Sequence, residues 1–435
     1  MSPELIGLLG IPLLIILLLL KVPVGISLLL VGTVGYATIR NIESALKVLG
    51  TSTFNVVSSY NLSVIPLFIF MGMILSYCGF GSDLYRALDR WMGRVKGGLA
   101  ISTIGTSAIF GAISGSVNAT TATLAKVTLP EMKKFRYDPG LSTASVAAGG
   151  TLGLLIPPSV ILILYGILTR ESIGALLIAG IIPGIIQMII FIIIIFVLVS
   201  RNPSLAPPRS QVIPLSEKIR SLKSVWPFLL MFALSIGGIY FGVFTPTEAA
   251  GIGSFGALVI ALLSRRLSFQ KLKASIDDTL RLSAMIFLIL MGAEIFSQFL
   301  AISRIPFETT SYLDSLTLNP YIILFFILLT LFVLGLFIEG LSILVITLPI
   351  IYPLIIELGF NGVWFGVIMV MLNNIGLLTP PVGVSVFVIK GVAKDVPIQT
   401  IFKGVIPMLL AIVICTAILI LFPDLVTFLP SLMGN

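Results

Sequence analysis

From residue 4 onward the chain alternates between long apolar runs and short polar joints. Apolar segments fall at 4–20, 22–39, 52–78, 97–134, 140–168 and 172–200, and again at 224–243, 246–264, 278–302, 319–357, 362–391 and 397–422. A run of about 18 or more apolar residues spans a hydrocarbon core roughly 30 Å thick, and an α-helix satisfies its own backbone groups there. The pattern therefore predicts an all-α, polytopic membrane protein. Four segments, 97–134, 140–168, 319–357 and 362–391, read as interrupted, and two of these carry Pro-Pro inside "GLLIPPS" (153–159) and "GLLTPPV" (376–382). Proline removes a helix hydrogen bond, and an unsatisfied peptide group in lipid costs several kcal/mol.

The order of segments is the same before and after the polar, Pro-rich stretch "RNPSLAPPRSQVIPLSEKIRSLK" at 201–223. Short echoes keep register: "FMG" at 70–72 with "LMG" at 290–292, "TLP" at 128–130 with "TLP" at 347–349, "GIIPG" at 180–184 with "GVIPM" at 404–408, and the two Pro-Pro stretches, at offsets of 220, 219, 224 and 223. The reading is a first repeat over 1–200, a cytoplasmic linker over 201–223 and a second repeat over 224–435.

Loop charge orients the halves. The basic stretches "YRALDRWMGRVKG" (85–97) and "MKKFRYD" (132–138) flank segment 97–134, so both its ends belong in the cytoplasm and it is expected to be a re-entrant hairpin with its tip near 114–121. The flanks of 319–357, "FETTSYLDSLTLNP" and "ELGFNG", lack Lys and Arg, which places the second hairpin's entry outside. The halves are thus expected to be inverted copies, with about ten full spans, two re-entrant hairpins and two broken helices in all. Both termini fall outside; Arg40, Lys47, Arg170 and Arg304 run against the charge rule. The start, "MSPELIGLLGIPLLIILLLLK", has no basic leader and carries Glu4, and is expected to be a retained span rather than a signal peptide.

Composition supports this and removes other classes. Of 435 residues, 57% are hydrophobic and 10% charged, with mean hydropathy +1.16, well away from a soluble domain. The net charge of +8 lies in short loops between spans, which fits the positive-inside bias and not a nucleic-acid surface. The chain has no His and two isolated cysteines, Cys78 and Cys415, so a disulfide framework, a Cys-based metal site and a histidine base are all excluded.

Broken backbone at bilayer depth survives where it lines a polar cavity, and inverted-repeat transporters place such breaks around an ion and an anionic substrate. The first candidate cluster joins the tip Ser114, Gly115, Ser116, Asn118 and Thr120 to the break at Gly149, Gly150, Thr151, Gly153, Pro157 and Pro158. The second joins Gly335, Glu339 and Gly340 to Asn373, Asn374, Gly376, Thr379, Pro380, Pro381 and Gly383. Hydroxyl, amide and carbonyl oxygens suit a hard monovalent cation. Helix packing is the competing reading for each small residue, and Ser or Thr can bond to its own helix. Glu339, the acid nearest a predicted tip, needs a cation, donors or a proton. Glu294 is a candidate scaffold contact, and Lys126 is expected to snorkel from its hairpin to the cytoplasmic face. Arg170 and Arg304, near the outer surface, are weaker candidates for an anion, an acidic partner or a lipid headgroup.

The stretches "AAGGTLGLLIPPSVILILYGILTRESIGALLIAGIIPG" (147–184), "FTPTEAAGIGSFGAL" (244–258) and "NNIGLLTPPVGVSVFVIKGVA" (373–393) resemble the large membrane subunit of tripartite ATP-independent periplasmic (TRAP) transporters. The resemblance covers nearly the whole chain. It implies an elevator-type permease of the bacterial inner membrane, of the ion transporter superfamily. Such a permease is driven by a Na⁺ gradient, takes an organic anion from a periplasmic binding protein, and works with a small four-helix membrane subunit, here expected as a separate polypeptide. No organic cofactor is implied; Na⁺ is the coupling ion. The family's tip and Na⁺-site motifs fall on Ser114, Gly115, Ser116, Gly150, Thr151, Gly153, Pro157, Glu339, Gly340, Asn374, Gly376, Thr379, Pro380 and Gly383. Many relatives have Asp where Glu339 stands, which puts that residue's contact in question. A stand-alone dicarboxylate or proton-coupled carrier is the rival within transport, and a membrane channel is the rival outside it. An intramembrane enzyme lacks a convincing base or metal motif in this chain.

Overall fold

The computed structural model describes residues 1–92, 95–207, 214–223, 225–308 and 318–433. Among the described residues every regular element is helical. Six helices are long and apolar enough to cross a membrane, among them Pro246–Leu263, Phe269–Ile302 and Ile398–Leu421, and shorter apolar helices such as Pro3–Leu19 and Val24–Ile39 lie beside them. Large apolar side chains stay exposed along these helices, including Leu8, Leu9, Leu19, Phe255 and Leu263, as a lipid-facing surface requires.

Local chemistry sets where the helices begin. Ser2, Asn41, Asp138, Ser172 and Ser268 each accept a hydrogen bond from a first-turn backbone N–H. Thr245 and Glu248 form a reciprocal capping box at the start of Pro246–Leu263.

Two packing groups result. In the first, Val24–Ile39 and Val64–Tyr77 pack against the 34-residue helix Phe269–Ile302, and Pro246–Leu263 packs on Val64–Tyr77. The second is built from the interrupted segments. Segment 97–134 is a hairpin of arms Gly98–Ser114 and Val117–Lys134, and segment 140–168 is split into Pro139–Thr151 and Val160–Thr169. In the second half, Pro320–Gly335 and Gly340–Glu357 form a hairpin, and Gly362–Leu378 and Val384–Val392 form a split helix. Ile181–Arg201 and Ile398–Leu421 pack against each other within this group, the latter also along Pro139–Thr151. Both Pro157-Pro158 and Pro380-Pro381 are cis peptides.

Some boundaries differ from those expected. Segment 52–78 is not one span: helix Ile42–Ser58 ends where the Ser58 hydroxyl bonds back to Phe54 O, a 3₁₀ turn covers Tyr60–Ser63, and Val64–Tyr77 follows. The polar run Ser58, Ser59, Tyr60, Asn61 supplies the break. Segment 172–200 is two helices, Ile173–Ala179 and Ile181–Arg201, which meet at Gly180 with Pro183 close behind. Helix Phe269–Ile302 starts nine residues before the expected 278, as an extension capped by Ser268. A short helix, Asp424–Ser431, follows the last span. Residues 208–213 of the linker and 309–317 of the second hairpin's flank lie outside the described residues.

Candidate functional site

The tips of both hairpins and the breaks of both split helices open on one cleft of about 120 Å³. At the first tip, Gly115 takes the left-handed conformation, φ 58°, which lets the chain reverse between the arms. The Ser114 and Thr120 hydroxyls meet at 2.6 Å, and Ser116 Oγ accepts from the Ala119 N–H at 3.3 Å, capping the returning arm. At the second tip Glu339 occupies the N-cap position of Gly340–Glu357, yet its carboxylate makes no capping bond and faces the cleft.

Four helices begin at this cleft: Val117, Val160, Gly340 and Val384 are their first residues and all four line it. Each N-terminus carries roughly half a positive charge and unpaired N–H groups. Helix ends lie there too, with Ser114 and Leu377 on the wall. Among the described lining residues Glu339 alone carries a side-chain charge. The cleft thus offers N–H dipoles for an anion, and hydroxyl, carbonyl and carboxylate oxygens for a cation. Leu282, Met285 and Ile286 of helix Phe269–Ile302, with Ile69, close the opposite wall.

Of the residues singled out in the sequence, Ser114, Gly115, Ser116, Asn118, Glu339 and Gly340 line the cleft. Gly150, Thr151, Gly153, Pro157, Gly335, Asn374, Gly376, Thr379, Pro380 and Gly383 stand outside that lining. Several bring backbones together. A Cβ on Gly376 would lie 2.3 Å from Gly335 O, and one on Gly111 would lie 2.7 Å from Gly153 Cα, so the same close approach of hairpin arm and split helix occurs in both halves. Thr379 Oγ1 donates to Ile375 O at 2.6 Å, and Thr151 Oγ1 to Ala148 O at 2.7 Å. Asn374 is fully buried, and its amide nitrogen and oxygen have no hydrogen-bond partner among the described residues.

Sequence reasoning passed over Gln187, which is fully buried and donates to Thr151 Oγ1 at 3.1 Å, holding the first break from behind. One amide in the run "IIPGIIQMIIFIIII" was the available signal. Asn373, a member of the second candidate cluster, does line the cleft, and its amide packs against Gly340, where a Cβ would lie 2.1 Å away.

Arg170 lies elsewhere, in a cavity of about 300 Å³ with Glu294, Ser297 and Tyr352. Tyr352 Oη donates to Glu171 Oε1 at 2.7 Å, and Glu294 accepts from Gln298, which also donates to Ser52. Arg304 stands within electrostatic reach of Glu4 and lines neither space.

Fold and site together define a class: a multi-pass helical membrane protein with a polar cleft among interrupted helices, the arrangement of membrane transporters. Residues 11–425 match the family described as "Tripartite ATP-independent periplasmic transporter, DctM component". The chain belongs to that family. It is 31% identical over 388 residues to the C4-dicarboxylate TRAP transporter large permease protein DctM of Pseudomonas aeruginosa, covering 89% of this chain and 90% of that protein. It is 30% identical over 417 residues to the sialic acid TRAP transporter large permease protein SiaM of Vibrio cholerae serotype O1, covering 96% of each. In fold it is similar to the YdaH transporter of Alcanivorax borkumensis, with a TM-score of 0.61, 15% identity and 90% coverage of both chains.

Proposed function

We propose that this chain is the large membrane subunit of a Na⁺-coupled importer of an organic anion, a carboxylate such as a C4-dicarboxylate or a sialic acid. The anion is delivered by a periplasmic binding protein, and a small four-helix membrane subunit completes the permease in the bacterial inner membrane. Its two halves are inverted repeats. The hairpins and split helices move as one unit against the group built on Val24–Ile39, Val64–Tyr77 and Phe269–Ile302.

The observation that carries this reading is the charge make-up of the cleft: four helix N-termini, no Lys or Arg among the described lining residues, and the carboxylate of Glu339. Helix N-termini favour an anion, while Glu339 opposes it. Co-binding of Na⁺ offsets both the substrate charge and Glu339, so the loaded unit crosses where an anion alone would not. Coupling then follows from charge balance. Relatives that carry C4-dicarboxylates and sialic acid in their names support the substrate class.

The test is uptake into proteoliposomes holding this chain and its small subunit, with the loaded binding protein outside. Uptake should saturate, require an inward Na⁺ gradient and stop when the binding protein is omitted. Uptake that continues unchanged without the gradient rejects the coupling, and uptake without the binding protein favours a stand-alone carrier.

A further inference from the structure

The stretch between the two halves holds a short helix, Leu215–Leu222, whose side chains divide into three faces. Leu215, Ile219 and Leu222 stand at i, i+4 and i+7, within roughly 60° of one another around the axis. All three are exposed, at 65%, 54% and 46%, and Trp226, which opens the next helix, is exposed too. Ser216, Glu217, Arg220 and Lys223 make up a polar face. Ser221 is buried and marks the side turned to the protein. There the Lys218 carbonyl accepts the Trp91 indole N–H at 3.2 Å, and the Lys218 ammonium lies 5.9 Å from the centre of the Trp91 ring.

Trp91 extends the consequence of that contact. It closes helix Phe80–Met92, which leads from Val64–Tyr77 into the first hairpin and packs along the arm Gly98–Ser114. The start of this connecting helix is tied to Arg266, which bonds to the Asp83 carboxylate and places its guanidinium 4.8 Å from the centre of the Phe80 ring. Whatever holds Leu215–Leu222 therefore also holds the entry to the first hairpin. Exposed hydrocarbon costs about 25 cal/mol for each Å² left in water, so the apolar stripe needs a cover. Three observations favour lipid. The apolar stretch Leu229–Tyr240 begins about two helical turns after Leu222, so the stripe lies close to where the chain enters hydrocarbon. Trp91 and Trp226 are both exposed, and tryptophan favours the headgroup layer. Lys218, Arg220 and Lys223 outnumber the helix's one acid, Glu217, and a basic amphipathic helix suits lipid phosphates.

We propose that Leu215–Leu222 is a membrane-surface anchor, lying in the headgroup layer with Leu215, Ile219 and Leu222 turned into the bilayer and Glu217 turned to water. The test is site-directed spin labelling of the full chain in nanodiscs of phosphatidylcholine and phosphatidylglycerol. Nitroxides are attached to L215C, I219C, L222C and E217C one at a time; Cys78 and Cys415 are buried and add little background. Power saturation then compares access of oxygen, which partitions into lipid, with access of a water-soluble nickel chelate. Labels on the stripe should be open to oxygen, shielded from nickel, and about 5–10 Å below the headgroup surface, with E217C showing the reverse. Any two stripe positions give this readout if a third variant fails to fold. No transport is measured, so the result stands apart from Na⁺ coupling. Nickel access equal at all four positions would overturn the proposal by placing the helix in water. Shielding of the stripe from both reagents would also overturn it, by assigning the cover to protein.

Discussion

The contact between Gly335 and Gly376 sets how closely the second hairpin approaches the second split helix, and a single methyl group tests it. In G376A the new Cβ would sit 2.3 Å from Gly335 O and 2.8 Å from its carbonyl carbon. A carbon and a carbonyl oxygen rest at about 3.3–3.6 Å, so the two backbones must separate by about 1 Å. Both contacting atoms are main chain, and no side-chain rotation relieves them. Overpacking of this kind costs about 1–3 kcal/mol, and the gain from replacing Gly by Ala in a helix returns about 0.5–1 kcal/mol. The net loss of about 0.5–2 kcal/mol is a factor of roughly 2–30 in the folded population. Thermal unfolding of the purified protein in detergent should drop by a few degrees, and uptake should fall because the tip carrying Glu339 and Gly340 moves with the arm. Gly251, with nothing within 4 Å of its would-be Cβ, supplies the control: G251A should melt at or slightly above the wild type. The equivalent change in the first half, G111A, meets Gly153 Cα at 2.7 Å and should also destabilise. G376A melting with G251A would refute the close-approach argument.

Three further outcomes are expected. N374L should keep the wild-type melting temperature, since the buried amide has no partner among the described residues to lose, yet abolish uptake if that amide meets a ligand during the cycle. T245A removes the capping box of Pro246–Leu263 and should cost about 1 kcal/mol, read as a lower midpoint in the same unfolding assay. Asp395 is held below the usual carboxylate range, chiefly by the hydrogen bond from Lys133. A depressed carboxylate stabilises the fold above its unfolded value and loses that contribution as pH falls through its folded value. Unfolding followed from pH 6 down to 3 should therefore show a small acid-induced loss in the wild type that D395N lacks; the pair is exposed, so the effect is small.

The interrupted segments were legible because they break rules that a membrane helix otherwise obeys. Pro157-Pro158 and Pro380-Pro381 cannot continue a helix, and the run Ser114-Gly115-Ser116 turns where the structure turns. Glu339 stood out as a charge inside hydrocarbon, and it faces the cleft. What stayed hidden depends on partners distant in sequence. Nothing local to Gly376 says that Gly335 O lies against it, and nothing near Thr151 points to Gln187. Nor did the apolar pattern separate Ile42–Ser58 from Val64–Tyr77: the polar run at 58–61 that parts them is only four residues long, and the Ser58 hydroxyl bonds back to Phe54 O at the end of the first helix. The roles of Arg170 and Arg304 were open in the sequence; the structure sets one on the wall of a cavity that Glu294 also lines and the other within electrostatic reach of Glu4.

The central claim is that both hairpin tips share one ion-dependent cleft, and thiol modification tests it directly. The two native cysteines, Cys78 and Cys415, are buried, so single cysteines placed by N118C on the first tip and L341C beside the second report with little background. Replacing choline by Na⁺ should slow modification at both positions together, with the same half-saturating concentration. Protection at one tip alone, or at neither, would contradict a shared cation-dependent site.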